Sequence, residues 1–187
     1  MKDRLRAALE ASRADYTEIR VEHTWSSAVS FRGARLESAV AGEDRGGFVR
    51  ALHAGHGWGI AAFTSLDALP AMVRRATELS RAVRLDEPIR LAPVAPVTAE
   101  AILDLDGDVR GVPLSEKKRL LEGYNGEMLA VPGVVDTQAS YHDDVTEYWY
   151  ANSEGTLLHE LRPEITLSGT AIARRDGTIE KGLESIG

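Results

Sequence analysis

The sequence contains no cysteine, so it has no disulfide framework, no thiolate nucleophile and no Cys-ligated metal, a composition that suits a reducing compartment. It has no surplus of positive charge: 22 Lys and Arg stand against 29 Asp and Glu, a formal net charge of −7. The basic residues are scattered, which removes the electrostatic footprint of a direct nucleic-acid binder. No apolar run approaches the about 18 residues of a membrane-spanning helix. Met1-Lys2-Asp3-Arg4-Leu5 has no signal-peptide core, so the expectation is a cytoplasmic chain with no membrane partner. With 187 residues, 43 % of them hydrophobic, the chain is long enough for one large or two small domains with a real core.

What the chain does have is alternation. Between residues 17 and 64 apolar side chains recur at every second position and the breaks fall on turn residues. Ile19 and Val21 share a face over 17–23, Trp25, Val29 and Phe31 over 25–32, and Leu36 and Val40 over 35–41, with further strands at 48–54 and 58–63. Arg32-Gly33-Ala34, residues 42–47 and Gly55-His56-Gly57 supply the glycines that hairpin loops use, because positive φ is cheap only without a Cβ. Residues 2–14 carry Leu5, Ala8 and Leu9 on one stripe of a short amphipathic helix. A second helix runs from the capping segment 64–67 through Pro70 to Ala82, with Leu69, Met72, Val73, Ala76 and Leu79 inward.

Residues 86–97 place Pro88, Pro93 and Pro96 among single apolar residues, a stretch that suits neither helix nor central strand and predicts a semi-rigid linker. A third helix opens at Leu114-Ser115-Glu116-Lys117 with Ser115 as N-cap, turns Leu121, Tyr124, Met128 and Leu129 inward, and ends at Val131-Pro132-Gly133. Strands then return at 134–141, 145–151, 156–161, 164–174 and 178–183, joined by turns at 142–144, 152–155, 162–163 and 175–177. The expectation is an α+β fold of two units, each a largely antiparallel β-meander packed with one or two helices. The boundaries predicted are an N-terminal domain at 1–85, the linker at 86–97 and a second domain at 98–187. No close repeat relates the halves.

Each candidate for chemistry fails on spacing. His159-Glu160 would need a second histidine one helical turn later to form a zinc-peptidase face, but Pro163 interrupts the segment and no histidine follows. His53 and His56 flank Gly55 between two strands, with no third ligand at a useful distance. Asp104-Leu105-Asp106-Gly107-Asp108 resembles a calcium loop superficially, yet Val109 and Ser115 stand where an EF-hand needs glycine and glutamate. Gly55-His56-Gly57-Trp58-Gly59 lacks the Lys-Ser/Thr and helix of a phosphate loop, and no serine sits in a Gly-x-Ser-x-Gly elbow. Tyr148, Trp149 and Tyr150 read as alternating core and surface positions of a strand. No catalytic, cofactor-binding or metal-ligating residue is therefore assigned from the sequence.

Gly46-Gly47-Phe48-Val49-Arg50-Ala51-Leu52, followed by Gly57-Trp58-Gly59-Ile60-Ala61-Ala62-Phe63-Thr64-Ser65-Leu66 and an Ala/Arg-rich helix, resembles the N-terminal domain of the TldD/PmbA family, also called modulators of DNA gyrase. Leu114-Ser115-Glu116-Lys117-Lys118, Tyr150-Ala151-Asn152-Ser153-Glu154-Gly155 and Leu161-Arg162-Pro163 resemble the family's middle domain. The likeness covers most of residues 15–184, and the Gly57-Trp58 segment with Arg162-Pro163 favours the TldD branch. The resemblance implies cytoplasmic, dimeric zinc metallopeptidases acting on unfolded or flexible peptides reached through an internal cavity. Their His-Glu-x-x-x-His motif and remaining zinc ligand belong to a C-terminal domain, and this sequence has no such motif. The family's metal ligands and catalytic glutamate thus map to no residue here, His159-Glu160 included.

On this resemblance the chain is the N-terminal, non-catalytic part of such a peptidase, contributing substrate-chamber walls and subunit contacts and inactive by itself. It holds no cofactor of its own, zinc being implied for the full-length family protein. Its partners are the remainder of its polypeptide, a TldD/PmbA-type subunit in a homo- or hetero-oligomer, and a peptide substrate. The alternative is a stand-alone module that binds peptides by strand addition and performs no chemistry.

Overall fold

The computed structural model describes residues 1–82, 84–102 and 107–187. Helix α1 (Lys2–Glu10) precedes strands β1 (Tyr16–Arg32), β2 (Arg35–His53) and β3 (Gly57–Phe63), and a 3-10 turn at Leu66–Ala68 leads into α2 (Leu69–Ser80). Then come β4 (Thr98–Ile102), a 3-10 turn at Val109–Gly111, α3 (Leu114–Leu129), β5 (Val134–Asn152), β6 (Leu157–Arg175) and β7 (Thr178–Ile186). The strands are ordered β3-β2-β1-β5-β6-β4, with β7 also paired to β6. β3 on β2 and β7 on β6 are antiparallel, while the short β4 runs parallel to β6. The fold is α+β with mostly antiparallel pairing, and no described helix is long and apolar enough to cross a membrane.

Four strands run through breaks that the sequence predicts. Residues 17–23 and 25–32 are one strand, and 42–47 is not a loop but the middle of β2. Its glycines serve close approach: a Cβ on Gly47 would lie 2.3 Å from the Arg20 carbonyl oxygen and 2.6 Å from the Phe63 ring. Gly33, by contrast, closes the β1–β2 turn with φ of 51°, as a turn glycine should. Residues 142–144 pass straight through β5, where Lys117 neutralises Asp143 (Nζ to Oδ2, 2.7 Å). Arg162-Pro163 lies inside β6, but β4 pairs with Leu157–Leu161 and β7 with Leu167–Arg175, so Pro163 belongs to neither register and its missing N–H breaks neither ladder.

Helix α3 starts at Leu114 with Pro113 in the N-cap position and no side-chain capping bond, so Ser115 is not the cap. Its buried face is Lys117, Leu121 and Asn125, while Tyr124 turns outward. Asn125 is satisfied there, donating to the Gly33 carbonyl (2.7 Å) and accepting from Thr137 Oγ1 (2.7 Å).

Compactness divides the chain into two units: residues 1–23, 44–103 and 146–162 form the first, and 24–43, 104–145 and 163–187 the second. The sequential boundary at 86–97 is a statement about chain segments; the units are a statement about packing, and they cut β1, β2, β5 and β6. In unit 1, Leu5 and Ala8 of α1 and Leu69, Val73 and Ala76 of α2 pack on Ile19, Val21, Val49, Ala61, Phe63 and Trp149. Helix α2 lies directly on β3: a Cβ at Gly59 would fall 2.0 Å from the Ala76 oxygen and 2.3 Å from the Ser80 nitrogen. The proline-rich stretch is tied down within this unit, Ile89 N–H donating to Ala54 O (2.8 Å) and Leu157 N–H to Val97 O (2.8 Å). Unit 2 has its own core of Val29, Phe31, Leu121, Ala139 and Tyr141, flanked by Leu114, Met128 and Leu167.

Candidate functional site

Two histidines, His159 and His53, have partners on both ring nitrogens. His159 stacks on Trp149 with ring centroids 3.7 Å apart and 13° between planes. Its Nε2 lies 2.9 Å from Glu147 Oε1 and its Nδ1 3.4 Å from Glu100 Oε1, and Lys2 joins at Glu100 (2.7 Å). Both ring nitrogens of His159 are thus occupied by carboxylates. The hydrogen bonds from Lys2 and His159 hold the Glu100 carboxyl below its ordinary value. Glu160 pairs with Arg162. His53 is the opposite case. Arg81 Nε–H, which can only donate, points at its Nε2 (2.9 Å), so Nδ1 carries the proton and donates to Ser80 Oγ (2.7 Å). The His56 ring stands edge-on to His53 at 6.4 Å.

Among the described residues no three His, Asp or Glu side chains gather as metal ligands. Of the acidic loop, Asp104 to Asp106 lie outside the described residues. Asp108 accepts from the Arg110 N–H (3.0 Å) and pairs with its guanidinium, holding its carboxyl below the ordinary value. Gly55 to Gly57 turn β2 into β3. Trp149 belongs to the core, and Tyr148 lies between the guanidinium groups of Arg20 (4.9 Å) and Arg162 (4.6 Å).

Two buried polar centres escape a reading of the sequence. In unit 1, Glu18 accepts from Tyr16 (2.8 Å), Tyr150 (3.0 Å) and Arg50 Nε (2.5 Å). Burial, then the hydrogen bonds to Tyr150 and Glu18, pushes the Tyr16 hydroxyl well above its ordinary range. In unit 2, Lys117 Nζ donates to Asp143 Oδ2 (2.7 Å) and Ser27 Oγ (3.0 Å), while Ser27 donates to the same carboxylate oxygen (2.6 Å). Burial alone would raise the Asp143 carboxyl, but hydrogen bonds from Lys117, Ser27 and Tyr141 and the charge of Lys117 outweigh it and hold it low. Ser27 beside Lys117 has the spacing of a serine–lysine pair. Asp143 engages both, however, so the lysine and the serine are tied to the same carboxylate oxygen. A signal existed: Lys117, Leu121 and Asn125 follow at four-residue steps along one helix face, and Asp143 shares strand parity with the inward Tyr141 and Val145.

Unit 2 also carries two clefts along α3. A cleft of about 420 Å³ runs between α3 and β6–β7. Leu121, Met128, Ala139 and Leu167 line its floor, and Tyr124, Glu127, Val131, Glu184 and Ile186 stand around it. Gly169 keeps it open, since a Cβ there would come within 2.9 Å of Met128 Sδ. A second cleft of about 790 Å³, with Lys117 and Tyr141 in its lining, follows another flank of α3.

Residues 17–80 match the sequence pattern of the PmbA/TldA metallopeptidase domain 1, and residues 107–187 that of the PmbA/TldA metallopeptidase central domain. A metalloprotease of Synechocystis sp. is 32 % identical over 178 residues, spanning 94 % of this chain and 38 % of the relative. A metalloprotease of Methanothermobacter thermautotrophicus is 26 % identical over 175 residues, again 94 % of this chain and 38 % of the relative. The chain thus spans about two fifths of the length of these curated relatives. A Thermotoga maritima protein described as a modulator of a DNA gyrase superposes with a TM-score of 0.78 at 17 % identity, over 98 % of this chain and 41 % of that one. TldE from Thermococcus kodakarensis gives 0.67 at 12 % identity, over 99 % and 42 %. Those two likenesses are of fold alone. The two domain patterns together take in most of the sequence, first domain before central domain, and the chain belongs to the PmbA/TldD metallopeptidase family.

Proposed function

We propose that this chain is the N-terminal, non-catalytic part of a TldD/PmbA-like zinc metallopeptidase that acts on unfolded or flexible peptides in the cytoplasm. It supplies walls of the substrate chamber and contacts to a TldD/PmbA-type subunit. The observation that carries this reading is the succession of the family's first and central domains in a chain that spans 38 % of its metalloprotease relatives. The histidine geometry supports it, because His53 and His159 are tied to structural partners on both ring nitrogens. So does the exposure of Leu120, Tyr124, Leu183 and Ile186, apolar surface of the kind that a chamber lining or a subunit covers.

The test compares the 187-residue chain with the uninterrupted product of its gene. Metal analysis and hydrolysis of an unfolded peptide should give zinc and chelator-sensitive activity for the gene product and neither for the 187-residue chain. Tightly held zinc on the 187-residue chain, removed by a chelator together with its activity, would overturn the proposal.

A further inference from the structure

We infer that the cleft between α3 and β6–β7 is a docking site for an extended polypeptide segment that presents a large apolar side chain and, two residues along, a lysine or arginine. The inference rests on the reading of the chain as part of a peptidase for flexible peptides, and adds where and by what chemistry such a peptide is gripped.

Three observations fix the occupant. The floor is apolar and deep where Gly169 withholds a side chain in front of Met128, and about 420 Å³ accommodates a large aliphatic or aromatic group. The charged residues of the lining are Glu127 and Glu184 alone, both exposed, and among the described residues neither has an ion-pair partner. Two unpaired carboxylates beside an apolar floor repel anions and select a cationic neighbour for the apolar anchor. Finally, β7 is paired to β6 through Thr178–Arg175 to Ile186–Leu167, and no other described strand pairs with it, so its outer edge presents free backbone donors and acceptors. An extended chain added there places every second side chain on the face that carries Glu184 and Ile186.

The experiment is fluorescence anisotropy on the 187-residue chain with three labelled short peptides: Leu-Ser-Lys-Ser repeats (Leu-Lys), which put leucine and lysine on the same face of a strand, Leu-Ser-Glu-Ser repeats (Leu-Glu), and a Gly-Ser control. The Leu-Lys peptide should bind at least about tenfold more tightly than either other peptide. Glu127→Lys/Glu184→Lys should reverse the order of Leu-Lys and Leu-Glu. Glu10→Lys/Glu87→Lys, the same change in net charge on exposed sites elsewhere, should leave the order intact. Circular dichroism establishes that both variants are folded. Equal binding of Leu-Lys and Leu-Glu, or the same loss in both double variants, would overturn the inference. So would a dimer seen by light scattering that the cleft variant abolishes and the Leu-Lys peptide does not compete with, which would give the cleft to a second copy. Binding is read without metal or turnover. A gene product without zinc or hydrolysis thus removes the peptidase reading and leaves the peptide site standing. An active gene product whose preference for cationic peptides survives the cleft reversal removes the site alone.

Discussion

The two units solve the same problem, an ionised side chain inside a sheet, in different ways. In unit 2 both charges are inside: the Lys117 and Asp143 side chains are 6 % and 4 % exposed and bond to each other and to Ser27. In unit 1 only the carboxylate is inside: Glu18 is 8 % exposed, but its partner Arg50 is 43 % exposed and lies over Trp58 at 5.0 Å. Tyr16 and Tyr150 would still donate to Glu18 without the arginine. The unit 2 centre therefore depends on each member, whereas the unit 1 centre has one member that water and two hydroxyls can replace.

Removing a partner measures that difference. Lys117→Met should cost about 3–5 kcal/mol in urea unfolding, because it strands a buried carboxylate. The pair Lys117→Met/Asp143→Leu should restore most of that loss, since matched apolar side chains need no counter-charge; a double variant no better than the single one would break the comparison. Acid should act on unit 2 as well. The folded Asp143 carboxyl sits below its ordinary value, so its contribution is present above about pH 4 and is lost as the pH falls through the lower folded value. Asp143→Asn should accordingly flatten the acid limb of stability against pH, and an unchanged limb would remove Asp143 from the account.

Arg50→Met should cost no more than about 1 kcal/mol, and less in high salt, as for a half-exposed ion pair. A loss matching that of Lys117→Met would make the two centres equivalent. The smallest effect is spectroscopic and concerns a histidine of unit 1. Nitrogen NMR should find His53 as the Nδ1–H tautomer, and Arg81→Ala should release it.

The strands were legible in the sequence because Ile19, Val21, Val29 and Phe31 alternate as a half-buried sheet requires. Their ends were not, because the residues that end strands have second uses here. Gly47 admits a neighbouring carbonyl, Pro163 lies in neither the β4 nor the β7 register, and Asp143 is tolerated through a lysine distant in sequence. β4 left no trace, since all five of its residues are exposed and show no inside and outside. The cleft could not be read from the sequence: its depth depends on Gly169 meeting Met128 from another element, and a lone glycine in a strand carries no mark of that.

The interleaving of the units bears on how such a chain can be inherited. Unit 1 takes residues 146–162 from the central-domain segment, and unit 2 takes residues 24–43 from the first-domain segment. A gene cut between residues 80 and 107 separates the two family patterns cleanly, yet it deprives each unit of a strand segment. Each unit is thus completed only by residues from both family patterns.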